Sequence, residues 1–283
     1  MQSEINYFCL PDLIKSYGGM FFFRIKEYLR YKLMSRHRKG HGIHSPFVYD
    51  LVSRVFRNKI DNDVVSKIEQ VRRELKRDKR TILVNDLGAG SVNNMNGQVL
   101  RRVSDIAKRS SVPEKYGKLL SNLAKQFGGT GVIELGTALG ISSMYMAVSC
   151  SGSKIDTIEG CMETARLAEN AIRNAGIDNI SVHCRSFDDC LPSLLNRRES
   201  PGLVFIDGNH RKEAVLKYFN LIAENSVSKT VVVLDDIYLT PEMKDAWKII
   251  REHKKVTVTI DVHRMGIVFF RTGINSNHFV VRH

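Results

Sequence analysis

Short apolar runs alternate with amphipathic stretches through the second half of the chain. From residue 114 onward, five apolar runs are each followed by apolar residues at helical spacing. The predicted strands are 131–135, 154–158, 179–184, 202–206 and 229–234, followed by a hairpin of 256–261 and 266–271. The predicted helices are 115–127, 141–149, 162–174, 189–196, 211–224 and 241–253. This pattern predicts a Rossmann-like α/β domain whose seven-stranded sheet is mostly parallel, with a C-terminal antiparallel hairpin.

The first 113 residues follow a different pattern, and they predict an N-terminal helical extension or lid on a domain of residues 114–283. Residues 1–40 mix aromatic, aliphatic and basic side chains and predict one or two helices ending near Gly40. Such a segment suits an anionic membrane surface, and it equally suits a helix packed on the main domain with its charges in water. A charged helix is predicted over residues 61–80.

Two motifs in the extension invite a functional interpretation. In HGIHSPF, Ser45 and Pro46 predict a helix start, while His41 and His44 suit either a structural or lid role or a metal pair that lacks a third ligand nearby. TILVNDLGAGS, residues 81–91, is a strand, an acid and a glycine turn. Because polar loop residues follow it, then a predicted helix over 99–108, we interpret it as bordering a pocket rather than holding a nucleotide.

Composition narrows the class of protein. The 283 residues are 43% hydrophobic and 26% charged, as in soluble globular proteins, and the formal net charge of +13 favours an anionic partner. The five cysteines are scattered without a CxxC pair, which favours a reducing compartment and disfavours a zinc site. We find no leader pattern and no apolar stretch of membrane-spanning length, so a cytoplasmic protein is expected.

The stretch GVIELGTALG, residues 131–140, is the most informative strand-to-helix turn. Glu134 lies at the end of its strand, and glycines in the turn allow a ligand to approach the backbone and the helix N-terminus. Glu159 ends the next strand, where an acid can accept hydrogen bonds from both hydroxyls of a ribose. The turn lacks the GxGxxG pattern of dinucleotide enzymes, which disfavours NAD.

Three further acids fall at two neighbouring strand ends. Asp207, Asp235 and Asp236 are hard oxygen ligands that suit Mg²⁺ or another divalent ion, which would orient an acceptor hydroxyl and lower its pKa. His210 is the candidate general base, because an imidazole pKa of about 6.5 suits proton transfer near neutrality. The alternatives are structural: Asp236 could cap a helix and His210 could begin one.

Taken together, VIELGTALGISS, IDTIEG, LVFIDGNH and VVVLDDIY resemble class I S-adenosylmethionine-dependent methyltransferases. Within that class they are most similar to O-methyltransferases of the catechol and macrolide-sugar type. The resemblance covers residues 114–271 and implies S-adenosylmethionine as cofactor and a hydroxyl as acceptor. HGIHSPF and DLGAGS resemble an N-terminal extension of uncharacterised bacterial members, typical of Bacteroidetes.

The resemblance also implies roles for individual residues. Glu134, Gly136 and Gly140 would line the amino-acid portion of the cofactor, Glu159 would hold the ribose, and Ser186 and Phe187 would lie beside the adenine. Thr137 and Asp207 complete the cofactor-binding set. The metal ligands would be Asp207, Asp235 and Asp236, and the catalytic pair Asp207 and His210. Two positions depart from the family pattern: Ala138 stands where glycine is common, and Ser186 stands where aspartate is frequent.

These features predict methyl transfer, with divalent-metal assistance, to a hydroxyl of a small acceptor that is anionic or lipid-linked. The resembled families often form homodimers. One alternative is a membrane-surface or scaffold protein on a vestigial methyltransferase fold, whose residues 1–40 contact the inner face of the membrane. The other is an RNA methyltransferase, although no Asn/Asp-Pro-Pro run or Pro-Cys nucleophile follows the fourth strand, and nucleic acid therefore explains the basic charge less well.

Overall fold

The computed structural model describes residues 10–35, 43–85, 98–197, 199–273 and 276–283, with side chains from residue 19 onward. Within these ranges the strands are β1 (Thr81–Asn85), β2 (Gln98–Arg102), β3 (Val132–Leu135), β4 (Ile155–Glu159), β5 (Ile180–Cys184), β6 (Leu203–Ile206), β7 (Val231–Leu234), β8 (Val258–Asp261), β9 (Gly266–Phe269) and β10 (Asn277–Val280). The helices there are α1 (Leu10–Met34), α2 (Pro46–Ser53), α3 (Asn62–Arg77), α4 (Val103–Ser110), α5 (Glu114–Phe127), α6 (Ile141–Ala147), α7 (Met162–Asn174), α8 (Phe187–Leu195), α9 (Lys212–Glu224) and α10 (Pro241–Arg251). The predicted acid-glycine turn of residues 86–91 and His41 lie outside the described residues.

The main sheet confirms the predicted α/β class. Its strand order is β10-β8-β9-β7-β6-β3-β4-β5, and β9 alone of these runs antiparallel to its neighbours β7 and β8. The remaining pairs are parallel, so the carboxyl ends of β3, β4, β6 and β7 meet at one edge. The sheet has eight strands rather than seven, because β10 adds in parallel to β8.

A second, two-stranded sheet precedes this domain. β1 and β2 pair antiparallel, with Thr81 opposite Arg102 and Asn85 opposite Gln98. The helix predicted over 99–108 was therefore wrong in its first four residues, since α4 begins only at Val103. The sequence QVLRRV carries apolar residues at a spacing that suits either structure, and pairing with β1 decides between them.

Helices cover both faces of the main sheet and form two hydrophobic cores. On one face, α2, α3, α5, α6 and α7 pack around residues such as Leu119, Met144 and Phe205. On the other face, α8, α9 and α10 pack around Phe219 and Trp247. Because β3, β6 and β7 are buried along their whole length, polar side chains concentrate where these strands end.

The N-terminal extension contacts the C-terminal part of the chain. The Tyr31 hydroxyl donates to the carbonyl of Val281 at 2.9 Å, and Glu27 pairs with Lys244 at 2.7 Å. The predicted start of α2 is confirmed, because Val48 N donates to the Ser45 hydroxyl at 3.4 Å and Pro46 occupies the first turn. No helix within the described ranges is long and apolar enough to cross a membrane.

Candidate active site

The turn after β3 has a backbone that only small residues tolerate. Gly136 has φ +104°, and a Cβ there would lie 2.1 Å from the carbonyl oxygen of Asp207. Gly140 has φ +80° as the N-cap of α6. Ala138, the position where the resembled family commonly has glycine, also has a positive φ of 45°. The turn is therefore pressed against the end of β6 and leaves its backbone close to any ligand at this edge.

Glu159 joins this turn to the next one. Its Oε2 accepts a hydrogen bond from Ala138 N at 3.0 Å, and its Oε1 accepts one from Cys161 N at 3.0 Å. Burial raises the pKa of Glu159, while these backbone donors lower it. Each carboxylate oxygen keeps a second lone pair, so the side chain can hold two turns and still accept from a ligand.

Glu134 lies beneath the same turn and is fully buried. The Ser143 hydroxyl donates to its Oε2, whereas Oε1 has no hydrogen-bond partner among the described residues. Burial raises the pKa of Glu134 to about 7, against the opposing effect of nearby hydroxyl groups. Thr137 is 1% exposed and its hydroxyl lies 2.6 Å from that of Thr157, so its side chain points away from the turn's open side.

The two residues predicted beside the adenine begin α8. The Ser186 hydroxyl caps this helix by accepting from Asp189 N at 3.1 Å, and it donates to Asp189 Oδ2 at 2.6 Å. The Phe187 ring stands edge-on to Tyr218 and lies so close to Gly208 that a Cβ there would be 2.7 Å from it. Ser186 is thus occupied by its own helix, and Phe187 offers an apolar surface beside the end of β6.

A cavity of about 500 Å³ opens beside the turn, and we call it the turn cavity. Ala138 and Glu159 form one wall, and β1, β2 and α4 form the other with Arg101, Arg102 and Arg109. The strand preceding the predicted acid-glycine turn therefore borders a pocket beside Glu159.

The three predicted metal ligands meet at the ends of β6 and β7, and we call them the carboxylate cluster: Asp207, Asp235 and Asp236. Asp235 is fully buried and is bound by Arg264, whose Nε lies 2.8 Å from Oδ1 and whose Nη2 lies 2.5 Å from Oδ2. Nη2 of Arg264 also lies 3.6 Å from Asp236 Oδ1. Asp236 has a left-handed backbone with φ +52°.

Electrostatic repulsion within the carboxylate cluster is strong. Burial and then the negative charges of Asp235 and Asp236 raise the pKa of Asp207 well above its usual range. Burial and Asp236 likewise raise the pKa of Asp235, and the hydrogen bonds from Arg264 lower it. Burial lowers the pKa of Arg264, but Asp235 outweighs that effect and raises it overall. Arg264 is therefore the main counter-charge of the cluster.

His210 lies at the edge of the same cluster. Its Nε2 is 3.7 Å from Asp207 Oδ1, too long for a hydrogen bond but close enough for electrostatic attraction. The imidazole is partly exposed, at 24% of its side-chain surface. Asn209, with φ +50°, turns the chain between Asp207 and His210.

A second cavity of about 320 Å³, the hairpin cavity, lies on the other side of the cluster. Its floor includes Asp236 and Arg264, and its walls come from α1, the start of α5 and the loop after β7 through Arg24, Tyr116 and Tyr238. Arg24 is held by a 3.0 Å hydrogen bond from its Nε to the carbonyl of Leu239.

Sequence reasoning found the strand-end acids but missed Arg264 and the wall formed by α1. Arg264 lies in the turn DVHRMG between two strands, and that sequence does not indicate that its side chain contacts the end of β7. Among the described residues, no group of three or more histidine, cysteine, aspartate or glutamate side chains is arranged to hold a metal ion. The carboxylate cluster thus gathers the predicted acids around an arginine.

The mostly parallel main sheet, covered by helices on both faces, agrees with the fold of class I methyltransferases. A family model described as a methyltransferase domain matches residues 133–237, from β3 to the loop after β7. This confirms the recognition made from the sequence motifs. The stretch from β3 to the loop after β7 is therefore similar to a methyltransferase domain.

Relatives of known name agree with this class. The chain is 28% identical over 130 residues to the catechol O-methyltransferase of Niastella koreensis, a match covering 45% of this chain and 58% of that protein. A second curated relative, from Mycobacterium leprae, is 36% identical over 111 residues, covering 38% of this chain and 48% of its own length. The chain thus spans about half the length of the curated relatives it matches.

Solved structures share the fold. The O-methyltransferase TomG of Streptomyces achromogenes, solved with S-adenosylmethionine, has a TM-score of 0.52 at 21% identity, covering 75% of this chain and 91% of that one. An O-methyltransferase of Bacillus cereus, solved with S-adenosylhomocysteine, has a TM-score of 0.51 at 19% identity, covering 79% and 97%. At these identities the likeness concerns the fold.

Proposed function

We propose that this chain transfers a methyl group from S-adenosylmethionine to a hydroxyl of a small acceptor. The observation that carries the proposal is the Glu159 carboxylate, which is held by Ala138 N and Cys161 N at the mouth of the turn cavity. A fixed acceptor at the end of the second parallel strand suits the two hydroxyls of a ribose.

The residues around the turn fit the rest of the cofactor. The unpartnered Oε1 of Glu134 is a buried acceptor of the kind that an ammonium group satisfies. Gly136 lets the turn lie directly against the end of β6, because a Cβ there would strike the Asp207 carbonyl oxygen. Phe187 offers an aromatic edge for the adenine, whereas Ser186 contributes to the cofactor site by capping α8.

The acceptor side of the reaction falls to His210 and the hairpin cavity. When bound, S-adenosylmethionine supplies an electrophilic methyl group, which the acceptor oxygen takes as the carbon–sulfur bond breaks and S-adenosylhomocysteine is released. His210 Nε2 is placed to receive the hydroxyl proton, with the Asp207 carboxylate 3.7 Å away to stabilise the imidazolium. In the hairpin cavity Arg24 offers positive charge to an acceptor, while the charge of Arg264 is balanced by Asp235.

A divalent ion fits the carboxylate cluster poorly. Mg²⁺ binds carboxylate oxygens at about 2.0–2.1 Å, and both oxygens of Asp235 are already engaged by the Arg264 guanidinium. Metal assistance, predicted from the three acids, therefore enters no step of this proposal.

The proposal is tested by calorimetric titration with S-adenosylhomocysteine, in Mg²⁺ and again in EDTA. We expect micromolar binding in both buffers and a loss of at least about tenfold in Glu159→Gln, because a carboxylate hydrogen bond contributes about 1.5–3 kcal/mol. Glu163→Gln is the matched control, since Glu163 pairs with Arg166 on the surface of α7. Absence of binding in both buffers would contradict the proposal and favour a scaffold on a vestigial site.

A second role, contact with an anionic membrane surface, is favoured by the outer face of α1. Phe22, Ile25, Leu29 and Leu33 form an exposed apolar stripe at helical spacing, with Phe22 71% and Leu33 77% exposed. Within residues 19–35 the exposed charged side chains are all basic, namely Arg24, Lys26, Arg30 and Lys32, while Glu27 is buried against Lys244. Apolar residues flanked by basic ones match an anionic lipid surface in both polarity and charge.

A further inference from the structure

Backbone hydrogen bonds hold the turn that carries Arg264 in place, independently of the contacts of its side chain. It lies at the tip between β8 and β9, where Val262 N donates to Met265 O at 3.0 Å and closes the turn. His263 takes a positive φ of 71°, and its N–H donates to Asp261 Oδ1 at 2.7 Å. The Arg264 carbonyl accepts from Ile237 N at 3.1 Å, which ties the tip to the loop directly after the carboxylate cluster.

The guanidinium of Arg264 contacts both oxygens of Asp235 and thereby supplies the positive charge that a metal ion would bring to the cluster. Its Nε lies 2.8 Å and 3.0 Å from the two oxygens of Asp235, and Nη2 lies 2.5 Å from Oδ2. The same Nη2 lies 3.6 Å from Asp236, so one cation spans two of the three acids. An ion at coordination distance from Asp235 would add positive charge beside this guanidinium, and the two cations would repel each other.

Arginine suits this task better than a mobile cation or a lysine. Its planar fork matches a carboxylate in two parallel hydrogen bonds, and it stays protonated at any pH at which the protein is folded. Asp235 is fully buried, so removing the guanidinium would leave an uncompensated charge in the protein interior. The Arg264 side chain is still 24% exposed and lines the hairpin cavity, where an acceptor would lie.

We infer that Arg264 takes the place of a divalent ion in the carboxylate cluster, so that the methyl transfer proposed above proceeds without a metal. Arg264 then acts as a positioning residue: it neutralises Asp235 and attracts Asp236 at the floor of the hairpin cavity. The role of Arg264 in methyl transfer rests on the proposed function. The absence of metal binding at the carboxylate cluster can be tested separately.

The test is a titration with Mn²⁺ followed by electron paramagnetic resonance, in which bound Mn²⁺ is lost from the free-ion signal. The full chain is used, saturated with S-adenosylhomocysteine. We expect the wild type to bind no Mn²⁺ below about 1 mM. Arg264→Met frees the three acids and is expected to bind one Mn²⁺ at least tenfold more tightly. Adding Asp235→Asn to Arg264→Met should abolish that gain.

Arg166→Met is the matched control, because it removes one arginine charge from the surface pair with Glu163 and should leave Mn²⁺ binding unchanged. Stoichiometric Mn²⁺ binding by the wild type that Asp235→Asn abolishes would overturn the inference. This comparison decides the question even if Arg264→Met fails to fold. Binding of S-adenosylhomocysteine in the same samples reports on the proposed function separately, since Glu159 lies outside the cluster and neither Arg264 nor Asp235 is a predicted cofactor contact.

Discussion

Glu134 shows how burial of a single carboxyl group makes stability depend on pH. Its pKa is raised to about 7 from an ordinary value of 4.5, chiefly by burial. The folded chain therefore holds the proton more tightly than the unfolded chain does. The stabilisation is fully present below about pH 4.5 and is lost as the pH rises to about 7, and it amounts to about 3 kcal/mol.

We predict that Glu134→Gln removes this dependence. The free energy of unfolding, measured by urea denaturation between pH 5 and 8, should fall with pH less steeply in the variant than in the wild type. Asp207 and Asp235 shift in the same direction, so the informative quantity is the difference between the two slopes. Glu163→Gln is the surface control, and equal slopes in wild type and Glu134→Gln would show that the carboxyl is ionised throughout.

For single residues, the sequence predicts the positions of the acidic side chains well and their hydrogen-bonding partners poorly. Glu134, Glu159 and Asp207 could be placed at one edge because each follows an apolar run and parallel strands end together. The partner of Asp235 could not be predicted, because Arg264 comes 29 residues later and reaches it only through a hairpin whose tip packs on the loop after β7. The capping role of Ser186 was not predicted either, because α8 begins at Phe187, two residues before the predicted helix of 189–196.

Among the elements, the hairpin of β8 and β9 depends on close contact with α10. Gly266 begins β9, and a Cβ there would lie 2.6 Å from the ring of Trp247, which is 2% exposed. A buried indole cannot move aside without disturbing its neighbours, so added volume must displace the strand.

We predict that Gly266→Ala destabilises the protein by about 1–3 kcal/mol and shifts the hairpin tip that carries Arg264. Chemical denaturation measures the loss of stability. The Mn²⁺ titration described above measures whether the shift of Arg264 changes metal binding at the carboxylate cluster. Gly129→Ala is the control, because nothing lies within 4 Å of the Cβ position there. A change in stability equal to that of the control would mean that the indole yields easily.

Strands and helices were predicted correctly where the hydrophobic pattern of the sequence matches the burial of the residues in the fold. The strands β3, β4, β6 and β7 are buried along nearly their whole length, so their apolar runs could be recognised directly. β10 was missed because Asn277 and His278 make its edge-strand sequence polar. β2 was taken for a helix because its pairing with β1 depends on residues distant in sequence.

On the scale of the whole molecule, the formal charge of +13 and the outer face of α1 favour the same partner. We predict that the protein co-sediments with vesicles containing anionic phospholipid and not with neutral ones, since each basic residue near such a surface contributes about 1 kcal/mol. Leu33→Glu should reduce this binding at least about fivefold, whereas Val227→Glu, at another exposed apolar residue, should not.

Equal sedimentation with both vesicle types, or with neither, would contradict contact with an anionic surface. If Leu33→Glu instead converts a dimer to a monomer, the stripe is an interface between two copies. RNA is tested in the same way, because binding through basic residues weakens as the salt concentration rises. The division of the chain at residue 113 stays a prediction, as does its assignment of residues 1–113 to a lid.

The double hydrogen bond of Glu159 has a kinetic consequence. The chain itself holds the turn after β3 and the turn after β4 in register, through Ala138 N and Cys161 N. A nucleoside that binds there then needs to order little of the backbone. Its association rate should be set by diffusion into the turn cavity rather than by rearrangement of the loops, and differences in residence time should follow the strength of the contacts.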